Sequence, residues 1–313
     1  MFQWKQLNKY LKSIMITFNE YCKNTFGEKV YKLSLDAGFS CPNRDGTLGE
    51  RGCIFCSKGG SGEFTPDKNL PIDEQIRLAK EKVKDKFKGD KFIAYFQAFT
   101  NTYAPVEKLE KVFMPVILRD DIVGISIGTR PDCLGEDVLN LIKRLNNIKP
   151  VIIELGLQST NEKTAKYIRR GYPLEVYDTA VKNLKKIDVH VVTHVILGLP
   201  GETKGDMITT IKHVVNIGSD GIKLQLLTIL KDTDLAVEYE KGNVHVLSEE
   251  EYLDILHDCI NILPENMVVH RLTGDPPKSI LIAPLWCANK KEVLAKINKL
   301  INNNKNMHRK EEQ

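Results

Sequence analysis

Cys41, Cys53 and Cys56 form a C-x11-C-x2-C constellation, and they are the residues whose chemistry is read most directly. They follow an apolar run, Val30–Asp36, that reads as a strand. Three thiolates at a strand exit can hold three irons of a four-iron cluster, leaving the fourth iron free for a ligand that is not protein. The competing chemistry is zinc, for which C-x2-C is half of a tetrahedral site. No second C-x2-C follows to complete a zinc ribbon, and Phe55 places an aromatic ring directly before the last cysteine. Both features favour the cluster. Cys22, Cys133, Cys259 and Cys287 are scattered singly and read as small buried hydrophobes.

Other strand ends carry polar groups that need a reason to be there. Val151–Leu157 contains Glu154 and exits at Gln158, both costly to bury unless something polar meets them. Val189–Leu197 runs through His194 and Ile196 into Gly198-Leu-Pro-Gly-Glu202, where glycines let backbone approach a flat ring closely. Ile122–Gly128 leads to Thr129-Arg130-Pro131-Asp132, which brings a permanent charge to the strand mouth. Phe92–Ala98 ends in Gln97, Phe99, Thr100, Asn101 and Tyr103. Any one of these has an ordinary structural explanation. Their recurrence on the side where the cysteines lie points to one polar site.

The elements that would position them alternate. With Gly221–Ile229, the candidate strands number six, separated by helical patterns at Ile72–Lys88, Val106–Leu118, Glu136–Leu145, Leu174–Lys186 and Lys204–Ile217. Near-continuous apolar strands alternating with helices imply a parallel sheet with helices outside it. Six strands are too few for a closed eight-stranded barrel, so the expected fold is α/β, a partial (β/α)6 TIM-type barrel with its chemistry at the C-terminal strand ends. Residues 30–232 would form it. Residues 1–29 would add an N-terminal helical segment, from the spacing of Leu7, Leu11, Ile14, Phe18 and Tyr21. Residues 233–301 would add a C-terminal α/β extension: a helix at Ser248–Leu263 with Ser248 and Glu251 as a capping box, a strand at Met267–Leu272, and a helix at Lys290–Ile301. The polar tail 302–313 has nothing to bury and is expected to be disordered.

The 313 residues suit one large domain or two ordinary ones. With 42% apolar and 27% charged residues the composition is globular. No run reaches the roughly 18–20 apolar residues of a membrane span, and Met1-Phe-Gln-Trp-Lys is not a signal peptide, so a cytoplasmic protein without membrane contact is expected. Seven irregularly spaced cysteines argue for metal or catalysis over disulfides. A net charge of +4 and an isoelectric point near 8.5 permit a nucleic-acid partner without demanding one.

The chain resembles radical S-adenosylmethionine (SAM) enzymes, in the group that includes the radical domain of the Elongator catalytic subunit and the oxygen-independent coproporphyrinogen oxidases. Asn101-Thr-Tyr-Ala-Pro105, Gly128-Thr-Arg-Pro-Asp132, Arg271-Leu-Thr-Gly-Asp275 and Ala283-Pro-Leu-Trp286 resemble the YhcC-like bacterial branch, over nearly the whole chain. The resemblance implies a [4Fe-4S] cluster on Cys41, Cys53 and Cys56 and SAM on its fourth iron. It implies further contacts from Phe55 to adenine, from Gln97–Asn101 to the methionine amine, from Gln158 to ribose or carboxylate, from Arg170 to carboxylate, and from His194 to ribose. Ile196–Glu202 matches an adenine-binding strand. Gln97–Asn101 lacks the family's glycines, His194 replaces a usual acid, and the cysteine spacing departs from the commonest C-x3-C-x2-C, as it does in the Elongator-like relatives.

The implied activity is reductive cleavage of SAM to a 5′-deoxyadenosyl radical, with an electron donor such as flavodoxin or ferredoxin. The implied substrate is tRNA, at the C5 substituent of a wobble uridine. Basic stretches at Lys80–Lys91 and Lys296–Lys310, and aromatic residues Tyr95, Phe96, Phe99 and Tyr103, are available for RNA. The chain has no room for the Elongator subunit's acetyltransferase domain. Alternatives are a radical enzyme for a small metabolite or porphyrin-like substrate, and a zinc-stabilised binding module without catalysis.

Overall fold

The computed structural model describes residues 15–311, with side chains as far as Ile301. Its centre is a sheet in which every pairing is parallel, ordered β1-β9-β7-β6-β5-β4-β3-β2. Six of these strands are the expected ones: β2 (Tyr31–Leu35), β3 (Phe92–Phe96), β4 (Ile122–Thr129), β5 (Val151–Gln158), β6 (His190–Leu197) and β7 (Gly221–Leu226). Between them run helices α2 (Ile72–Val83), α3 (Val106–Ile117), α4 (Glu136–Asn146), α5 (Glu162–Tyr167), α6 (Leu174–Lys186) and α7 (Lys204–Asn216). The sheet curls into an open, partial barrel.

Alternation along the strands separates two environments. In β2, Leu33 and Leu35 point to the helices while Lys32 and Ser34 face the interior; in β3, Phe92, Ala94 and Phe96 point out and Tyr95 points in. The outer face packs against Leu109 and Phe113 of α3, Leu141 of α4, Val181 and Leu184 of α6 and Ile211 of α7. Each such side chain contributes roughly 1.5–3 kcal/mol when fully buried.

Three features differ from the sequence expectation. The sheet has more than six strands: β9 (Val268–Arg271), from the presumed extension, pairs with β7, and the two-residue β1 (Ile16–Thr17) pairs with β9. Residues 233–301 therefore share the main sheet. Helix α1 is Phe18–Phe26, started by a Thr17–Glu20 capping box and stopped by Gly27 at φ +79°, with strand β1 directly before it inside the expected helical segment; Leu7, Leu11 and Ile14 lie outside the described residues. Phe18, Tyr21, Cys22 and Phe26 of α1 close the barrel floor against Val30, Ile93, Ile152 and Val192. Finally, the last helix, α10, runs Lys290–Glu311, continuing where the polar tail suggested disorder.

In the rest of the C-terminal part the helix expected at Ser248–Leu263 is present, whereas the helix Asp234–Glu240 and the strand Leu281–Ala283 have no counterpart in the sequence reading. Helix α8 (Asp234–Glu240) precedes α9 (Glu249–Ile262), where Ser248 Oγ accepts from Glu251 N at 3.2 Å and Glu251 returns the bond to Ser248 N at 2.7 Å. A small antiparallel pair, β8 (Ile229–Leu230) with β10 (Leu281–Ala283), lies beside the strand mouths. Among the described residues no helix is long and apolar enough to cross a membrane.

Candidate functional site

The loop between β2 and α2 carries all three cysteines and is folded by its own backbone. Arg44 N bonds Cys41 O at 2.8 Å, Gly52 N bonds Asn43 O at 2.7 Å, and Cys56 N bonds Cys53 O at 2.9 Å. Gly52, at φ +74°, has the Arg44 guanidinium where a Cβ would stand, 2.8 Å away, so glycine is required directly before Cys53. The Arg44 guanidinium donates to the carbonyls of Cys56 (2.9 Å) and Ser57 (2.6 Å). Ile54 inserts below the loop into a cluster with Ile168, Ile196, Leu199, Leu227 and Leu235, and Phe55 packs at its edge.

These cysteines open onto a cavity of about 260 Å³ at the C-terminal ends of the strands. Cys41, Cys53, Phe55, Cys56, Gln97, Arg130, Glu154, Gln158, Arg170, His194 and Ile196 line it, whereas Asn101, Tyr103, Asp132 and Glu202, also singled out from sequence, do not. What each side chain does there varies. Gln158 sits on a bulge in the β5–β6 pairing at φ +68°, and its buried Oε1 has no partner. Such strain beside an unsatisfied acceptor is characteristic of a ligand site. Gly156 clears the space Gln158 occupies, since a Cβ there would stand 2.8 Å from Nε2.

Several expected contacts are already engaged with protein. Gln97 accepts from Ser34 Oγ (3.1 Å) and donates to Ser61 O (2.8 Å), tying β3 to the cysteine loop. Arg130 grips Asp132 with two bonds (2.9 and 2.7 Å) and donates to Arg170 O. Arg170 donates to Tyr172 O, Ser159 O and Glu162. Both guanidinium groups lie over the Tyr172 ring, and both shape the wall more than they offer free charge.

Glu154 is the hub of a buried network that sequence reading only half anticipated. Its Oε1 accepts from Lys32 (2.6 Å) and Ser126 (2.8 Å); its Oε2 accepts from Tyr95 (2.8 Å), His194 Nε2 (2.7 Å) and Lys223. Burial would push this carboxyl up, but Lys223 and Lys32 outweigh it and hold Glu154 well below the carboxylate range. Burial lowers His194 to about 4, so the ring is neutral, with Nδ1 left to meet Gln225 at 3.2 Å. The lysines escape notice as site residues, and the sequence reads Tyr95 only as an aromatic available to RNA. The signal was present: Lys32 and Lys223 stand inside apolar strands, as Glu154 does.

Burial, first of all, lowers Lys223 to about 7, against Glu154, which raises it. An unfolded lysine titrates near 10.4. Between those values the unfolded chain holds the extra proton, so stability should rise with pH from about 7 to about 10. The full linkage for such a shift is at most roughly 4–5 kcal/mol. Urea midpoints at pH 7, 8.5 and 10 should show this slope in the wild type and its loss in Lys223→Met.

The donor set fits an iron–sulfur cluster and a polar nucleoside. Burial raises the Cys53 thiol to about 12 and raises Cys56 too, so their thiolates need a strongly positive centre. Asn43 Nδ2 donates to Cys53 Sγ at 3.3 Å, a bond of the kind that tunes cluster sulfurs. Among the described residues no three His, Cys, Asp or Glu side chains converge as a single metal ion requires. All seven cysteines are free thiols; Cys22, Cys259 and Cys287 are buried as expected, whereas Cys133 is half-buried beside Asp132.

Comparison with known proteins agrees. The Radical SAM superfamily model matches residues 46–214, and the Radical_SAM C-terminal domain matches residues 219–303. Cys53 and Cys56 fall within the first match and Cys41 just before it. YtqA of Bacillus subtilis is 45% identical over 92% of this chain and 89% of its own length; YhcC of Escherichia coli is 33% identical over 93% and 94%. The tRNA uridine(34) acetyltransferase of Methanocaldococcus jannaschii is 25% identical over 56% of this chain and 32% of its own. The solved structure of Methanocaldococcus infernus Elp3 shares the fold at a TM-score of 0.61 and 19% identity, over 81% of this chain and 58% of that one. With cysteine loop, barrel and family matches in agreement, the chain belongs to the radical SAM superfamily, as a YhcC-like enzyme.

Proposed function

We propose that Cys41, Cys53 and Cys56 hold a [4Fe-4S] cluster, that SAM occupies the adjoining cavity, and that the substrate is tRNA, modified at the C5 substituent of a wobble uridine. When bound, the two cofactors supply a 5′-deoxyadenosyl radical through one-electron cleavage of a carbon–sulfur bond. The observation that carries the reading is the convergence of the three cysteines and the polar strand ends on one cavity. Asn43 holds Cys53 in place, and Ile54, Ile168, Ile196 and Leu227 keep water from the loop's underside. Gln158 Oε1 is free to accept from an ammonium or a ribose hydroxyl. Phe55 and Ile196, partners in the same apolar cluster, offer a flat surface to a base. Arg130, Arg170 and Gln97 hold wall and loop rigid, as a radical site needs if the reactive carbon is to meet one hydrogen only.

The substrate assignment rests on the tRNA-uridine relative, which aligns over 56% of this chain. Surface chemistry adds less: Lys80, Lys91 and Lys296 are paired with Asp121, Glu28 and Glu249, and Tyr95 and Phe96 are buried. Phe99 and Tyr103 remain partly accessible. Flavodoxin or ferredoxin in the cytoplasm would deliver the electron. Anaerobic reconstitution with dithionite should yield a brown protein that forms 5′-deoxyadenosine. Deleting the gene should alter the wobble-uridine nucleosides measured by mass spectrometry; an unchanged profile ends the tRNA assignment and leaves the cofactor assignment standing.

A further inference from the structure

Among the charged side chains around the cavity, one guanidinium is left without a bonding partner. The charged residues lining it are Arg44, Arg130, Arg170, Lys223 and Arg271, against Glu154 as the single carboxylate. Asp132 neutralises Arg130 and Glu162 neutralises Arg170. Glu154 is shared by Lys223 and by Lys32 beneath it. Arg44 is tied to two carbonyls of the cysteine loop. Arg271 is different: among the described residues no hydrogen bond, ion pair or ring contact engages its guanidinium. It is only partly exposed, stands on β9 in register with Lys223 of β7, and opens into the cavity.

An arginine cannot shed its charge, and a partly desolvated, unpaired guanidinium is costly to keep. Its charge is felt by its neighbours, since it helps hold Lys223 and His194 low. A group arranged this way presents a fork of N–H donors to whatever enters, matched to an oxyanion. The Lys223 ammonium adds a second donor from the adjacent strand. The site lies on strands β7 and β9, whereas the cysteines sit on the loop after β2, so the two ends of the cavity are chemically distinct.

We propose that Arg271, assisted by Lys223, is an oxyanion-recognition site for a reactant other than SAM: the cavity takes a molecule bearing a carboxylate or phosphate and orients it by that group. This deepens the radical-enzyme reading by naming the charge class of what is bound, and it rests on the cavity being the reaction site. The test needs neither cofactor cleavage nor tRNA, so the two can fail separately.

The cluster-loaded full chain would be titrated with inorganic phosphate and, separately, with acetate, at constant ionic strength balanced by chloride, while the thermal midpoint is followed. The wild type should show a saturable rise with at least one probe. Phosphate acting alone identifies a phosphoryl group and acetate alone a carboxylate. Arg271→Met should weaken half-saturation at least tenfold, and Arg271→Lys should recover part of it. Because Arg271 makes no internal bonds, the variant should keep its fold, checked by circular dichroism. SAM affinity by calorimetry should be unchanged. No saturable rise in the wild type, equal titrations in wild type and Arg271→Met, or a fall in SAM affinity in the variant would each overturn the proposal.

Discussion

Replacing Cys53 by alanine is expected to yield a folded, colourless protein that holds neither iron nor acid-labile sulfide after reconstitution. Formation of 5′-deoxyadenosine should fall by more than the roughly 10–100-fold typical of losing an outer partner of a metal site. On the proposed assignment these three sulfurs are the protein's ligands, and the other four thiols stand outside the cysteine loop, Cys133 beside Asp132. The fold should survive because the loop is held independently, by Gly52 N to Asn43 O, by Ile54 N to Ile168 O at 3.3 Å, and by Leu235 N to Ile54 O at 2.9 Å. Cys259→Ala is the control. That side chain is buried in the core near Tyr252, so its loss should cost about 1 kcal/mol and spare the cluster. Iron and sulfide analysis with an absorption spectrum decides the matter; a Cys53→Ala protein with wild-type iron would remove the cluster from this loop.

How far the sequence reached depended on whether a feature was local. The cysteine spacing, the six apolar strands and the Ser248 capping box are written in adjacent residues, and each is found where expected. The identity of a sheet neighbour is not local. β9 lies beyond two helices from β7, yet joins it, because a parallel pairing needs a crossover and places no limit on its length. Lys32 and Lys223 are missed because a lysine in a strand is equally compatible with a solvated face; only closure of the sheet turns that face into a lined interior. Donor-rich residues posed the opposite problem. Sequence placed Gln97, Arg130 and Arg170 at the mouth correctly, but could not show that Ser61, Asp132, Glu162 and nearby carbonyls would engage them.

Glu154→Gln should be the most destabilising conservative substitution in the interior. The carboxylate is fully buried and, among the described residues, is the only anion paired with Lys32 and Lys223. An amide of the same shape keeps Ser126 within reach but leaves two ammonium groups facing each other without a counter-charge. Removing one partner of a buried ion pair costs about 3–5 kcal/mol. The deficit should depend on pH in a stated sense. Lys223 already titrates at about 7, and without Glu154 it would release its proton more readily still. Raising the pH to 9 therefore relieves part of the penalty in the variant, and the gap to wild type narrows. At the acid end the gap also closes. Glu154 in the folded protein titrates well below an ordinary glutamate, so its contribution is complete above about pH 4.3, the unfolded value. It is lost as pH falls further, through the folded value. Urea unfolding of both proteins at pH 3, 7 and 9 should thus show the largest difference at pH 7. A difference that stayed flat across the three would mean the network is held by packing around Tyr95 and His194 rather than by the charge of Glu154.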